Sequence, residues 1–190
     1  MSVSLTVGGV FLEAYKKSNP NDTVTEINIY DSFVPEIDKN LLDSWNALAE
    51  GKKHESLSAE QQKQLTAFDA ISEEFMNHDK YVFVTPLWNF MIPARLKSYI
   101  DALCVAGKTF KYTSNGPVGL LQGKKALHIN SSGGLYKGSY ADEYLRYTLK
   151  FIGIADYGSI IVEGHAHMPE KATEIIEKGK AHALEVAAKF

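Results

Sequence analysis

Short apolar runs rich in β-branched and aromatic residues recur along this chain, and most are followed by a stretch with helical spacing. That alternation narrows the available folds more than any other feature of the sequence. Residues 24–30, 80–85, 124–130 and 156–163 read as strands, and residues 3–17, 38–49, 58–78, 94–106, 140–151 and 169–190 as helices. Parallel strands need long crossovers, and helices filling those crossovers cover both faces of the sheet. The expected class is therefore α/β, a doubly wound parallel sheet in a three-layer α/β/α arrangement. On the first helix Leu5, Val10, Phe11 and Ala14 are available for one face. Ser58-Ala59-Glu60-Gln61 has the capping-box pattern. Residues 108–113, followed by Ser114-Asn115-Gly116-Pro117, read as a small hairpin or flap.

Bulk properties limit the functions. A chain of 190 residues is long enough for one domain with a sizeable core. A formal net charge of −3 gives no broad basic face for nucleic acid. No apolar run approaches the length of a membrane span, and no signal-peptide pattern opens the sequence. A single cysteine, Cys104, cannot form an internal disulfide and suits a reducing compartment, where it reads as inert core. The expectation is a soluble, cytoplasmic domain with no nucleic-acid or membrane partner.

Two loops stand where an open parallel sheet binds ligands, beyond the carboxyl ends of its strands. The first is Pro86-Leu87-Trp88-Asn89-Phe90, followed by Met91-Ile92-Pro93. Pro93 suits the first turn of the next helix, because its absent N–H would be unpaired there anyway. The loop offers a planar aromatic and an amide, suited to a flat, hydrogen-bonding ring. A core role for Trp88 and a turn-capping role for Asn89 are the plainer alternatives. The second loop is Asn130-Ser131-Ser132-Gly133-Gly134-Leu135-Tyr136, whose glycines let backbone amides approach a ligand. On its own it is a weak signal, since most such tetrapeptides are ordinary loops; its place after a strand, paired with the Trp88-Asn89 loop, gives it weight. Ser2 and Ser4 precede or open the first helix, as phosphate donors or as a simple helix start. His165 and His167 lack a clear third ligand and read as a surface loop, so no metal site is expected. His128 lies inside a strand and reads as a packed or satisfied histidine.

Together these segments resemble the FMN-dependent, NADH-using azoreductase family, flavodoxin-like homodimeric reductases of quinones and azo dyes. The resemblance runs from about Ser2 to the C-terminus. It rests on Pro86-Leu87-Trp88-Asn89-Phe90, on Leu96-Lys97-Ser98-Tyr99-Ile100-Asp101, and on Ala106-Gly107-Lys108-Thr109-Phe110-Lys111-Tyr112-Thr113 with Asn115-Gly116-Pro117. It rests equally on Asn130-Ser131-Ser132-Gly133-Gly134, on Phe151-Ile152-Gly153 and on Glu163-Gly164. It implies a single flavodoxin-like FMN-binding domain over residues 1–190. Ser2 and Ser4 match the serines of the family's phosphate loop, and Pro86, Leu87, Trp88, Asn89 and Phe90 its loop beside the isoalloxazine ring. Ser131, Gly133 and Gly134 match the loop on the ring's pyrimidine side. In the family a strand and further phosphate-loop residues come before the Ser-x-Ser; they are not in this sequence, and their omission is the expected explanation.

The implied activity is two-electron, ping-pong reduction of quinones and azo compounds by NADH through bound FMN. The flavin carries the chemistry and the protein supplies position and electrostatics, so no catalytic side chain is nominated. Phe110, Tyr112, Tyr136 and Phe151 are candidates for an apolar wall against flat substrates. The family pattern implies a homodimer with active sites at the interface. Two rival readings are a flavodoxin-type electron carrier, against which the modest charge and the flap speak, and a cofactor-free binding module. A Rossmann dehydrogenase fails for lack of a G-x-G-x-x-G run.

Overall fold

The computed structural model describes residues 2–136 and 140–190. Its elements run α1 (Val3–Ser18), α2 (Lys39–Ala49), α3 (Ala59–Met76), β1 (Lys80–Pro86), α4 (Ala94–Asp101), β2 (Phe110–Thr113), β3 (Gly116–Gly119), β4 (Lys125–Ser132), α5 (Tyr140–Phe151), β5 (Asp156–Glu163) and α6 (Ala172–Ala187). β1, β4 and β5 form a parallel sheet in that spatial order. Pro86 lies opposite Ser131, and Ser132 opposite Glu163. β4, in the centre, is buried from Ala126 to Ser132, as a strand covered on both faces must be. β2 and β3 form a separate antiparallel hairpin, the expected flap.

Side chains alternate across the sheet and feed two cores. Tyr81, Phe83 and Ala126 face a layer built from Leu65, Phe68 and Phe75 of α3, Leu96 and Ile100 of α4, and Leu145 and Leu149 of α5. Leu127, Ile129, Ile160 and Val162 face Val7 and Phe11 of α1 and Ala183 and Ala187 of α6. Each fully buried Leu or Ile contributes about 2 kcal/mol, so the two faces together hold the three layers closed. The architecture is the expected doubly wound α/β/α.

α1 presents Ser4, Val7, Gly8, Phe11 and Tyr15 inward. Leu5, which the apolar spacing also offered to that face, is exposed instead. Gly8 must be small, because a Cβ there would fall 2.9 Å from both methyls of Val84. Lys80 Nζ, at the start of β1, donates to the Tyr15 hydroxyl at 2.9 Å. With Gly8 against Val84 and Tyr15 against Lys80, α1 runs antiparallel to β1. Its N-terminus therefore points to the end of the sheet where β1 and β4 finish.

Two expected elements are corrected. Residues 24–30 form no strand: they have no ladder partner among the described residues, and Ile27 and Tyr30 are exposed. Arg95 Nε donates to the Ile29 carbonyl and its guanidinium also reaches Ser32 O at 2.6 Å, so this arm is strapped to α4 and not paired into a sheet. The strand-like alternation thus finds no ladder, and within residues 24–30 only Val24 and Ile29 are partly buried. α4 stops at Asp101, short of residue 106, because Thr109 Oγ1 donates to Leu103 O at 2.6 Å and accepts from Val105 N at 3.0 Å. Those bonds capture the backbone in a turn. The Ser58 capping box forms as expected, with Gln61 N donating to Ser58 Oγ and Ser58 N to Gln61 Oε1. Among the described residues no helix is long and apolar enough to cross a membrane.

Candidate functional site

β1 and β4 stay in register to their last residues, so the loops that leave them start side by side. Leu87 N donates to Ser131 O at 2.8 Å and ties the two loops at their roots. The first loop then closes a two-residue turn, with Trp88 N on Met91 O at 2.9 Å and Met91 N on Trp88 O at 3.0 Å. Its central residues, Asn89 and Phe90, have φ of 48° and 69°. Two left-handed residues in succession make a type I′ turn, a geometry suited to Asn and Gly. A phenylalanine there is held at a cost of roughly 1–3 kcal/mol. The outcome is presentation: the Trp88 and Phe90 rings are each 55 % exposed. The reading of Trp88 as a core tryptophan therefore falls. Because the turn's own bonds use Trp88 and Met91, the amides of Asn89 and Phe90 are left for a ligand or water.

The second loop is held from behind. Ser131 and Ser132 are buried as the last residues of β4. Ser132 Oγ donates to Gly134 O at 3.0 Å. The turn that follows β5 supplies four more bonds. Gly164 N donates to Ser132 O at 3.1 Å and to Gly134 O at 3.0 Å, and Ala166 N and His167 N donate to Gly133 O at 3.1 and 2.9 Å. A Cβ on Gly133 would fall 2.9 Å from the Ala166 methyl, so glycine is needed there for this close approach. Sequence reasoning left residues 164–168 outside the site. The one local sign is Gly164 at φ 87°, a conformation that favours glycine. Phe90 and Tyr136 meet edge to face at 5.4 Å, so the two loops touch at their tips as well as their roots.

Ser2 and Ser4 sit at the α1 terminus that points to this same end of the sheet. Ser2 is the N-cap, its Oγ accepting from Leu5 N at 3.4 Å and lying 3.1 Å from Ser4 Oγ. The first turn of α1 carries no acidic residue, so its electropositive end is not neutralised.

The four expected wall aromatics divide into two groups. Phe110 packs on Phe151 at 4.6 Å and on Tyr112 at 5.4 Å, where the flap meets the end of α5. Tyr136 is with Phe90 on the loops. Phe110 is buried, whereas Tyr112 is 74 % exposed. The flap is seated on the end of α5: Leu121 N donates to Ile152 O at 2.9 Å, and a Cβ on Gly119 would fall 2.2 Å from Gly153 N.

Beneath the loops, burial pushes the Asp142 carboxyl up, but hydrogen bonds from His128, Tyr157 and Arg146 outweigh it and hold that carboxyl below its usual range. Burial pushes the Cys104 thiol up, away from reactivity. The donor set at the strand ends fits a flat heteroaromatic ring with acceptors along its edges and a phosphate tail. Turn amides serve one edge, the Ser131–Gly134 segment the other, and a hydroxyl-lined helix N-terminus the anion.

Comparison with known proteins agrees with this geometry. The profile of the flavodoxin-like fold family matches residues 1–187. The chain is 47 % identical over 195 aligned positions to FMN-dependent NADH:quinone oxidoreductase 3 of Bacillus anthracis, covering all of this chain and 92 % of that protein. It is 45 % identical to FMN-dependent NADH:quinone oxidoreductase of Geobacillus kaustophilus, with the same coverage. Among solved structures it is similar to an FMN-dependent NADH-azoreductase from Bacillus anthracis str. Ames Ancestor in complex with FMN. That match has a TM-score of 0.92 and 38 % identity, covering 99 % of this chain and 91 % of that one. With the fold, the paired strand-end loops and a match along nearly its whole length, this chain belongs to the flavodoxin-like fold family.

Proposed function

We propose that this chain is an FMN-dependent NADH:quinone oxidoreductase that also reduces azo compounds. One observation carries the reading: two ring-sized loops leave adjacent parallel strands, are tied by Leu87 to Ser131 and by Phe90 to Tyr136, and share their end of the sheet with the α1 N-terminus. Bound there, FMN supplies two-electron transfer from NADH to a quinone or azo compound.

The chain's own residues supply the rest. Ser2, Ser4 and the first amides of α1 hold the phosphate. Pro86, Leu87, Trp88, Asn89 and Phe90 line one side of the ring, and the Asn89 and Phe90 amides donate to acceptors on its edge. Ser131, Gly133 and Gly134 would line the other side, where their donors would favour negative charge on a bound ring. Donor and acceptor take turns over one open face, which gives ping-pong kinetics. Tyr136, the flap residues Phe110 and Tyr112, and Phe151 at the end of α5 form apolar walls for flat substrates. Because Tyr112 is exposed on the flap, and Tyr136 is separate from that flap cluster, we assign the enclosed pocket to a homodimer in which a second copy closes the open face. We place the enzyme in the cytoplasm, with NADH as its donor.

The test is the visible absorption of purified protein under anaerobic conditions. A flavin spectrum that bleaches with NADH and returns with a quinone is the expected result. Protein that stays colourless after incubation with FMN overturns the reading in favour of a cofactor-free module. Reduction of partner proteins with no turnover of quinones would favour an electron carrier.

A further inference from the structure

Directly under the two loops lies a buried polar layer that the proposed chemistry does not use. Thr85, His128 and Asn130 are each no more than 1 % exposed, and Asp142 is 8 % exposed. The bonds among them run in one direction. His128 Nδ1 donates to Asp142 Oδ1 at 3.0 Å, so in the neutral ring Nε2 accepts, and the Thr85 hydroxyl donates to it at 2.9 Å. Asn130 Nδ2 in turn donates to Thr85 Oγ1 at 3.0 Å and to Thr85 O at 3.3 Å. At the far end Arg146 and the Tyr157 hydroxyl donate to the same carboxylate, at 3.1 and 2.8 Å. The layer thus forms a chain of donors that all lead to Asp142.

Such a layer is not needed to fill the core. Apolar side chains of similar volume often give equal or greater stability than a buried charged network. Its location supplies a reason to keep it. Thr85 and Asn130 are opposite each other in the ladder, and they are the last residues before Pro86 and Ser131, where the cofactor loops begin. Leu87 N donates to Ser131 O at 2.8 Å, so residues 85 and 87 turn toward β4 while Pro86, which has no N–H, faces away from it and costs this ladder no bond. Asn130 Nδ2 on Thr85 O provides a cross-strand bond from a side chain at the same level. The Oδ1 of Asn130 is buried without a partner among the described residues, so the amide is oriented through its donor side.

We propose that Thr85, Asn130 and His128 are positioning residues for FMN: without touching it, they set the relative height of the Pro86–Phe90 and Ser131–Gly134 loops and so the tightness of the ring's seat. This rests on the assignment of those loops to FMN. His128, anchored by Asp142, holds the Thr85 hydroxyl, and Thr85 holds Asn130.

The test compares Thr85→Val, which removes the hydroxyl, with Thr85→Ser, which keeps it. Full-length apoprotein is titrated with FMN by fluorescence, the bound-flavin absorption is recorded, and the melting of each apoprotein is measured alongside. Thr85→Val strands a buried donor and acceptor, so FMN affinity should fall about tenfold and the bound-flavin band should change shape. Thr85→Ser should bind within about twofold of wild type, since its bonds are intact. A merely structural role would lower melting and leave FMN affinity and the flavin band alone, and that result overturns the proposal. Equal losses in both variants also overturn it, since Thr85→Ser keeps the hydroxyl and the loss then does not follow that group. Wild-type protein that takes up no FMN overturns the site assignment itself, and this proposal with it; wild type that binds while Thr85→Val binds equally well overturns this proposal alone. Should Thr85→Val fail to fold, Tyr157→Phe carries the test, with about threefold weaker FMN binding expected from one lost bond to Asp142 and wild-type affinity counting against the proposal.

Discussion

The loop after β1 keeps its shape with its own bonds, the reciprocal pair between Trp88 and Met91, and accepts two left-handed residues to do so. The loop after β4 takes its shape from a neighbour, through four bonds from Gly164, Ala166 and His167. One loop is strained and exposes aromatic rings. The other places Gly133 where a side chain would strike Ala166. Local strain suits a surface that must present rings to a ligand. Support from behind suits a segment whose backbone must come close to one.

Gly133→Ala attacks the second strategy and should have the largest effect. The added Cβ would lie 2.9 Å from the Ala166 methyl, a contact neither backbone can relieve by a rotamer change. Stability should fall by about 2 kcal/mol, and FMN affinity by about thirtyfold if the loop shifts by the same free energy. Thermal melting and an FMN titration measure the two. Adding Ala166→Gly should recover most of both losses, because the two sites share one contact. A double variant no better than Gly133→Ala would mean that the prop is not what fixes the loop.

Phe90→Gly probes the first strategy and should move stability the other way. Glycine takes φ near 69° without penalty. The apoprotein should gain about 1 kcal/mol and melt about 3 °C higher. Activity should fall, since the ring that meets Tyr136 at 5.4 Å is gone. The expected loss in kcat/KM for a quinone is about tenfold. Equal melting temperatures would show that the turn is not strained, and unchanged kinetics would remove Phe90 from the site.

What could be read in the sequence followed the same division. Strand β5 and helix α5 were legible to the residue, because their apolar spacing is local and unbroken. The Trp88-Asn89-Phe90 loop was legible because its unusual residues are contiguous. The prop from residues 164–168 was not, since its bonds join positions about thirty residues apart and use main-chain groups that every residue carries. The layer under the loops was hidden for a similar reason. His128 could be recognised as a satisfied histidine, but its partners Thr85 and Asp142 come from a different strand and a helix. Residues 24–30 misled because alternation is a local pattern that does not supply a pairing strand, and the segment is tied instead by Arg95 of α4 to Ile29 O and Ser32 O.

The adjacent glycine sets the finest test of the comparison. A Cβ on Gly134 would also be too close, 2.8 Å from the Tyr136 hydroxyl and 2.9 to 3.0 Å from its ring edge, but those atoms end a half-exposed side chain that can turn away. Gly134→Ala should therefore change stability by less than about 0.5 kcal/mol and leave FMN affinity within about twofold of wild type. Its one consequence should be a displaced Tyr136 ring. If that ring is a wall for the acceptor, KM for a quinone rises about twofold with kcat unchanged, the pattern of lost uniform binding. Steady-state kinetics beside the Gly133→Ala variant would then separate two neighbouring glycines, one kept for the backbone behind it and one for the ring in front. A loss of FMN affinity of about thirtyfold in Gly134→Ala, matching its neighbour, would mean that the whole loop moves as one rigid piece and that the distinction drawn between the two positions is wrong.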